Sequence, residues 1–83
     1  HHIVRLSQLA KNTPAIVLSV QQHDDVDPIA KRLNELGFVS GETIRLITRA
    51  PFGGDPILVQ VGFTRFALRV SEAERVLVKE VRP

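Results

Sequence analysis

The chain has 83 residues, a formal net charge of +2 and no cysteine. A chain of this length forms one compact domain, and without cysteine it has neither a disulfide framework nor a thiolate zinc site. Eleven Lys or Arg residues against nine Asp or Glu residues are too balanced to require a nucleic-acid partner. We expect residues 1–83 to be a single domain, in which His1 and His2, with no Met before them, are the remnant of a purification tag.

The N-terminal part of the chain predicts one helical turn and one strand. Ser7 can cap a single turn that directs Leu6 and Leu9 inward. Residues 15–20 alternate as a half-buried strand does, and the more apolar face of that strand carries Ile16, Leu18 and Val20.

A helix over Pro28–Leu36 is the most clearly predicted element. The carboxylate of Asp27 can accept from free amides of the first turn, and Pro28 suits the first helical position. Gly37 ends the helix, because glycine adopts the left-handed conformation without steric cost. One apolar stripe along this helix is formed by Ile29, Leu33 and Leu36.

The second half of the chain predicts four more strands joined by short turns. Ser71 and Glu74 have the spacing of a capping box, which predicts a helical turn before the last strand. Five short antiparallel strands favour a small barrel, because closure removes exposed edges. The predicted fold is therefore mainly β, a five-stranded barrel with the helix between strands 1 and 2. The four strands are residues 43–49, 57–61, 65–70 and 76–81.

Residues that would support catalysis are scarce. The only histidine outside the presumed tag is His23, and no serine lies in a nucleophile motif. Gly53 and Gly54 are not followed by the Lys and Ser or Thr of a phosphate-binding loop. We expect the protein not to be an enzyme and to require no cofactor.

The segment before the helix is a candidate metal site. His23, Asp24, Asp25 and Asp27 could bind a divalent transition metal such as Fe²⁺ or Zn²⁺ through one imidazole and carboxylates. Binding would be weak or shared between chains, since one loop offers few fixed ligands. The alternative is a solvated turn that leads to a helix cap.

The aromatic content argues against two classes of ligand. The chain has no Trp and no Tyr, and Phe66 and Phe38 are assigned to the core. Phe52 and Phe63 in loops are the remaining aromatic residues. A groove for proline-rich peptides and a stacking surface for single-stranded nucleic acid both need more aromatic side chains.

Several segments in a fixed order resemble the FeoA family of ferrous iron transport proteins. They are residues 36–41 (LGFVSG), 50–56 (APFGGDP), 67–69 (ALR) and 71–73 (SEA), and the similarity extends over about residues 4–81. The resemblance implies a cytoplasmic SH3-like barrel that assists FeoB, a membrane permease with a G-protein domain. It implies a regulator of iron uptake that reaches the membrane only through its partner.

The resemblance leads us to expect a docking surface for FeoB on the helix and on the 51–56 loop. The alternative for the loop is a plain turn, since Gly, Asp and Pro are common turn residues. The candidate docking residues are Lys31, Arg32, Glu35, Phe38, Phe52, Gly53 and Asp55.

A second function remains open at this point. The chain is also similar to the SH3-like domain of iron-dependent repressors, which would make it a metal-responsive regulatory module. An open strand edge would allow a weak homodimer in either case.

Overall fold

The computed structural model describes residues 3–22, 25–51 and 53–81 of the chain. Six strands form one antiparallel sheet in the order β1-β6-β2-β3-β4-β5. Within the same residues, two α-helices and a 3₁₀ turn over Leu6–Gln8 connect the strands. The strands are β1 (Ile3–Arg5), β2 (Pro14–Val20), β3 (Thr43–Arg49), β4 (Ile57–Val61), β5 (Thr64–Leu68) and β6 (Val76–Glu80), and the helices are α1 (Pro28–Leu36) and α2 (Val70–Ala73).

The predicted mainly β, antiparallel architecture is confirmed, but the predicted count of five strands was wrong. The additional strand is β1, which pairs with β6 near the other end of the chain. Its three residues are too few to show an alternating pattern. In the described strand order β1 and β5 are the two edges of the sheet, and α1 lies between β2 and β3 along the chain.

The ends of α1 lie where the sequence predicted them. Asp27 Oδ1 accepts hydrogen bonds from the amides of Ile29 (3.1 Å) and Ala30 (3.2 Å). Gly37 ends the helix with φ of 112°, and a Cβ there would stand 3.3 Å from a methyl group of Val61. Glycine at this position therefore serves both the left-handed turn and the close approach of β4.

The core lies between the inner face of the sheet, α1 and the 3₁₀ turn. Alternation predicted the inward residues of β3 and β4 correctly. For β2 the buried face is instead the one that carries Ala15 and Val17, while Ile16 and Leu18 are half-buried. The alternation itself holds along the first part of β2. The prediction took the face with the larger apolar side chains as the inner one, whereas the sheet buries the face with the smaller side chains, and the register shift with β6 lies beyond these two buried residues. The buried residues of β3 and β4 are Ile44, Leu46, Ile57, Val59 and Val61.

Helix α2 begins earlier than predicted, and the proposed cap at Ser71 was wrong. The N-cap is Arg69, whose amide donates to Glu72 Oε1 (3.1 Å), and Ser71 lies inside the helix. The amide of Val70 donates to Asp55 Oδ1 (3.2 Å) in the loop before β4. This contact from a distant loop satisfies a free amide of the first turn, so the helix starts directly after β5.

Candidate functional site

A cleft of about 660 Å³ lies between α1, the end of β2 and the segment that follows α1. Its volume is within the range of sites that bury a ligand or a side-chain cluster of a partner. Its lining is mixed, and six of the residues are Val26, Ala30, Phe38 and Val39, which are apolar, and Asp25 and Lys31, which are charged.

The cleft has an apolar floor, and its rim combines two exposed valines with polar and charged side chains. Phe38 and Ala30 are buried beneath it, and the Phe38 ring lies 6.4 Å from that of Phe66. At the rim, Val26 is 83% exposed and Val39 is 43% exposed. Exposed apolar side chains beside a concave surface are typical of a protein-interaction site.

Asp27, a predicted metal ligand, has a structural role at one end of the cleft. Its Oδ1 caps α1, and its Oδ2 accepts from a guanidinium nitrogen of Arg75 in an ion pair. The carboxylate is buried and both of its oxygens are engaged, so metal binding by Asp27 would require these contacts to break. Arg75 was missed by sequence reasoning, because no local pattern relates residues 48 positions apart.

The other predicted metal ligands do not form a cluster that the structure shows. His23 and Asp24 lie outside the described residues, and Asp25 is exposed on the cleft wall. Over residues 3–22, 25–51 and 53–81, no three His, Asp or Glu side chains are grouped in a way that could hold a metal ion. A site built on His23 stays a prediction.

The predicted docking residues of α1 divide between two concavities. Lys31 lines the cleft, whereas Arg32 pairs with Glu72 and lines a second groove of about 520 Å³ beside α2. Glu35 is exposed on the same helix. Phe38 is only 1% exposed, so its predicted place on the exposed helix exit was wrong. Its ring packs into the core and contributes to the cleft as floor.

The described residues of the 51–56 loop have a defined backbone conformation, and one of them contacts α2. Gly53 and Gly54 have φ of 78° and 72°, and Asp55 accepts from the amide of Val70. Pro56 lines the second groove, and no described residue of the loop lines the cleft. Phe52 lies outside the described residues.

Two rim residues of the cleft were not singled out from the sequence. Val26 stands between two aspartates and Val39 follows a core phenylalanine. For Val26 the available signal was an apolar side chain isolated in a charged loop, where it has no strand or helix face to join.

When the chain is compared with known protein families, one family model matches almost all of it. The family model described as FeoA domain matches residues 4–80. A comparison with curated protein sequences gave no match.

Two solved structures are similar along most of their length. One is a zinc-complexed FeoA from Stenotrophomonas maltophilia, an SH3 domain protein put forward as a ferrous iron transport activating factor. It is 59% identical with a TM-score of 0.81, and the match covers 89% of this chain and 87% of that one. The other is the FeoA protein from Chlorobium tepidum, at 32% identity and a TM-score of 0.80, covering 95% of this chain and 71% of that one.

A third solved structure shares the fold. It is the IdeR protein of T. acidophilum, at 18% identity and a TM-score of 0.77, covering 98% of this chain and 35% of that one.

Among the described residues, neither helix has the length and apolar character needed to cross a membrane.

Proposed function

The chain belongs to the FeoA family, and on this premise we propose that it is a cytoplasmic, non-enzymatic accessory factor of ferrous iron uptake that docks on the cytoplasmic part of FeoB. The family match over residues 4–80 supports the role in iron transport. The single domain would act by binding, since no catalytic group was identified from the sequence.

The observation that carries the proposal is the cleft beside α1, with its apolar floor and the two exposed valines at its rim. Val26 and Val39 are exposed in the isolated chain, and a partner that covered them would remove apolar surface from water. An amphipathic helix suits such a groove, because its apolar stripe would occupy the floor over Phe38. Lys31 and Asp25 at the wall would set the orientation of the partner through their opposite charges.

Binding at the cleft would regulate the transporter by conformational bias. A docked protein shifts an equilibrium only if it binds one state more tightly than the other. The proposal therefore requires the affinity for FeoB to depend on its nucleotide state, and by linkage the nucleotide affinity to change when this protein is bound.

The experiment is a calorimetric titration of the cytoplasmic part of FeoB with this protein. We expect Val39→Asp to weaken binding about tenfold, because a partner that covers this position would have to remove an unpaired carboxylate from water. Val81→Asp is the matched control, since Val81 is 40% exposed and does not line the cleft. Undetectable binding of the unchanged protein would refute the proposal, and equal effects of both substitutions would remove the cleft from the interface.

A metal-responsive regulatory module is the second candidate function. It is favoured by the zinc complex of the Stenotrophomonas maltophilia protein. Titration with Fe²⁺ and Zn²⁺ tests it directly, and saturable binding that His23→Ala abolishes would support it.

A weak homodimer is a further part of the proposal. β1 and β5 are edge strands in the described sheet, and unpaired strand edges favour pairing between chains. Light scattering over a range of protein concentration measures this association.

A further inference from the structure

A row of polar side chains crosses the outer face of β3, β4 and β5. Arg45 is directly opposite Gln60, and Gln60 is directly opposite Arg65. Directly paired residues of antiparallel strands point to the same face of the sheet. Both arginines are exposed, so the row places two cations side by side with one amide between them.

Neither arginine is neutralised by a carboxylate that the structure describes. Arg65 donates from Nε to Gln60 Oε1 (3.3 Å), and Gln60 donates from Nε2 to the carbonyl of Gly62 (3.0 Å). Arg45 makes no ion pair with any described residue. None of the residues of β3, β4 and β5 is Asp or Glu. We name this surface, with Phe63, the outer patch.

Phe63 occupies the tip of the turn that joins β4 to β5. Its side chain is fully exposed, in contrast to the buried floor of the cleft. A groove of about 180 Å³ lies beside the row, at the starts of β2 and β3, and is lined by Pro14, Thr43, Ile44, Arg45, Gln60 and Gly62. The outer patch therefore combines an aromatic tip and two cations, with a small recess next to one of the cations.

We propose that the outer patch binds the surface of a membrane that contains anionic lipids. Arg45 and Arg65 would contact lipid phosphates, which attract basic residues near the surface. Phe63 would enter the boundary between headgroups and acyl chains, where an exposed aromatic ring loses its contact with water. The two features complement the two layers of a leaflet, one anionic and one apolar.

Nucleic acid is a weaker match for the same surface. A base would need an aromatic ring within a basic groove, but Phe63 stands at a turn tip.

The proposal is independent of FeoB binding. None of the outer-patch residues lines the cleft beside α1. The protein would then contact a membrane directly through one surface and a transporter through the other, in contrast to the expectation from the resemblance that it reaches the membrane only through its partner. Failure of either experiment leaves the other proposal standing.

The test uses Phe63→Trp, because the chain contains no tryptophan and the new residue is a unique reporter. We expect its emission to shift to the blue with vesicles of phosphatidylcholine and phosphatidylglycerol, and not with phosphatidylcholine alone. High salt should reverse the shift, since it screens exposed charges. Val26→Trp is the reporter control, and its emission should stay unchanged because it lies on the cleft rim.

Charge substitutions test the role of the row in vesicle sedimentation. Arg45→Gln and Arg65→Gln should each lower partitioning about fivefold, the equivalent of about 1 kcal/mol per basic residue. Glu42 lies beside the Gly62 turn, and Glu42→Gln should raise partitioning because it removes a nearby negative charge. Lys31→Gln on α1 has the same change of charge as the arginine variants and should leave partitioning unchanged.

Three results would overturn the proposal. They are equal binding to vesicles without phosphatidylglycerol, an equal loss with Lys31→Gln, and the absence of any shift at low salt. Binding of an oligonucleotide that Arg45→Gln weakens, without vesicle binding, would assign the patch to nucleic acid. Circular dichroism of each variant shows whether the change is local.

Discussion

Asp27 and Arg75 form an ion pair that joins the first turn of α1 to the segment before β6. The side chain of Asp27 is 5% exposed and that of Arg75 is 16% exposed, so the pair is largely removed from water. The same carboxylate caps the helix. One residue therefore both begins α1 and fixes its position on the sheet, and α1 forms a wall of the cleft.

We expect Arg75→Met to destabilise the protein by about 3 kcal/mol, because removing one partner leaves a buried carboxylate without its counter-charge. Urea unfolding measures the change as a lower midpoint at an unchanged slope. Arg32→Met is the control, since Arg32 is 55% exposed in its pair with Glu72 and such a pair contributes about 0–1 kcal/mol. Equal losses of stability for the two variants would show that the Asp27–Arg75 pair contributes no more to the free energy of unfolding than the exposed Arg32–Glu72 pair.

The elements that could be predicted from the sequence are those determined by neighbouring residues. Asp27, Pro28 and Gly37 mark the ends of α1 because caps act within one turn of a helix. The buried faces of β3 and β4 follow from alternation. By contrast, the start of α2 depends on Asp55, and α1 is held by Arg75; both are contacts between segments that no local pattern connects.

The candidate site also combines features that neighbouring residues determine with features that depend on contacts between distant segments. Lys31 was predicted from its helix and lines the cleft, but the cleft itself results from the way α1 packs beside β2. Phe38 was assigned both to the core and to a docking edge, and only packing decides between these places. Val26 and Val39 became candidate contact residues only when the structure showed that both line the same cleft.

Asp55 provides a second prediction, which separates a structural from a docking role of the 51–56 loop. Asp55→Ala should destabilise the protein by about 1 kcal/mol, because the amide of Val70 loses its acceptor at the start of α2. Asp55→Asn keeps an acceptor oxygen and should unfold close to the unchanged protein in urea. If Asp55→Asn weakens FeoB binding while its stability is unchanged, the loop belongs to the interface.

Arg49 provides a third prediction about the N-terminal turn. Its Nη2 donates to the carbonyls of Ser7 (2.9 Å) and Leu9 (2.8 Å), which ties the 3₁₀ turn to the end of β3. Arg49→Gln is too short to reach both carbonyls and should cost about 2 kcal/mol, the range for hydrogen bonds that involve a charged group. Arg45→Gln on the outer face of the same strand should stay within about 0.5 kcal/mol.

Hydrogen exchange distinguishes a local effect of the Arg49 hydrogen bonds on the 3₁₀ turn from a loss of stability across the whole protein. In Arg49→Gln, the amide of Leu9, which donates to Leu6, should exchange faster than amides in β4. Uniform acceleration across the sheet would contradict a local role for Arg49.

The fourth prediction concerns which residues before α1 bind metal. Asp27 is committed to the helix amides and to Arg75, whereas Asp25 is exposed. If Zn²⁺ or Fe²⁺ binds this segment, His23→Ala and Asp25→Asn should each weaken binding, since imidazole and free carboxylate are the available ligands. Asp27→Asn should leave metal affinity unchanged while it lowers the urea midpoint, because it removes the charge that pairs with Arg75. Calorimetric titration and unfolding of the same three variants separate these effects. A loss of metal binding with Asp27→Asn alone would show that the ion pair opens to admit the metal.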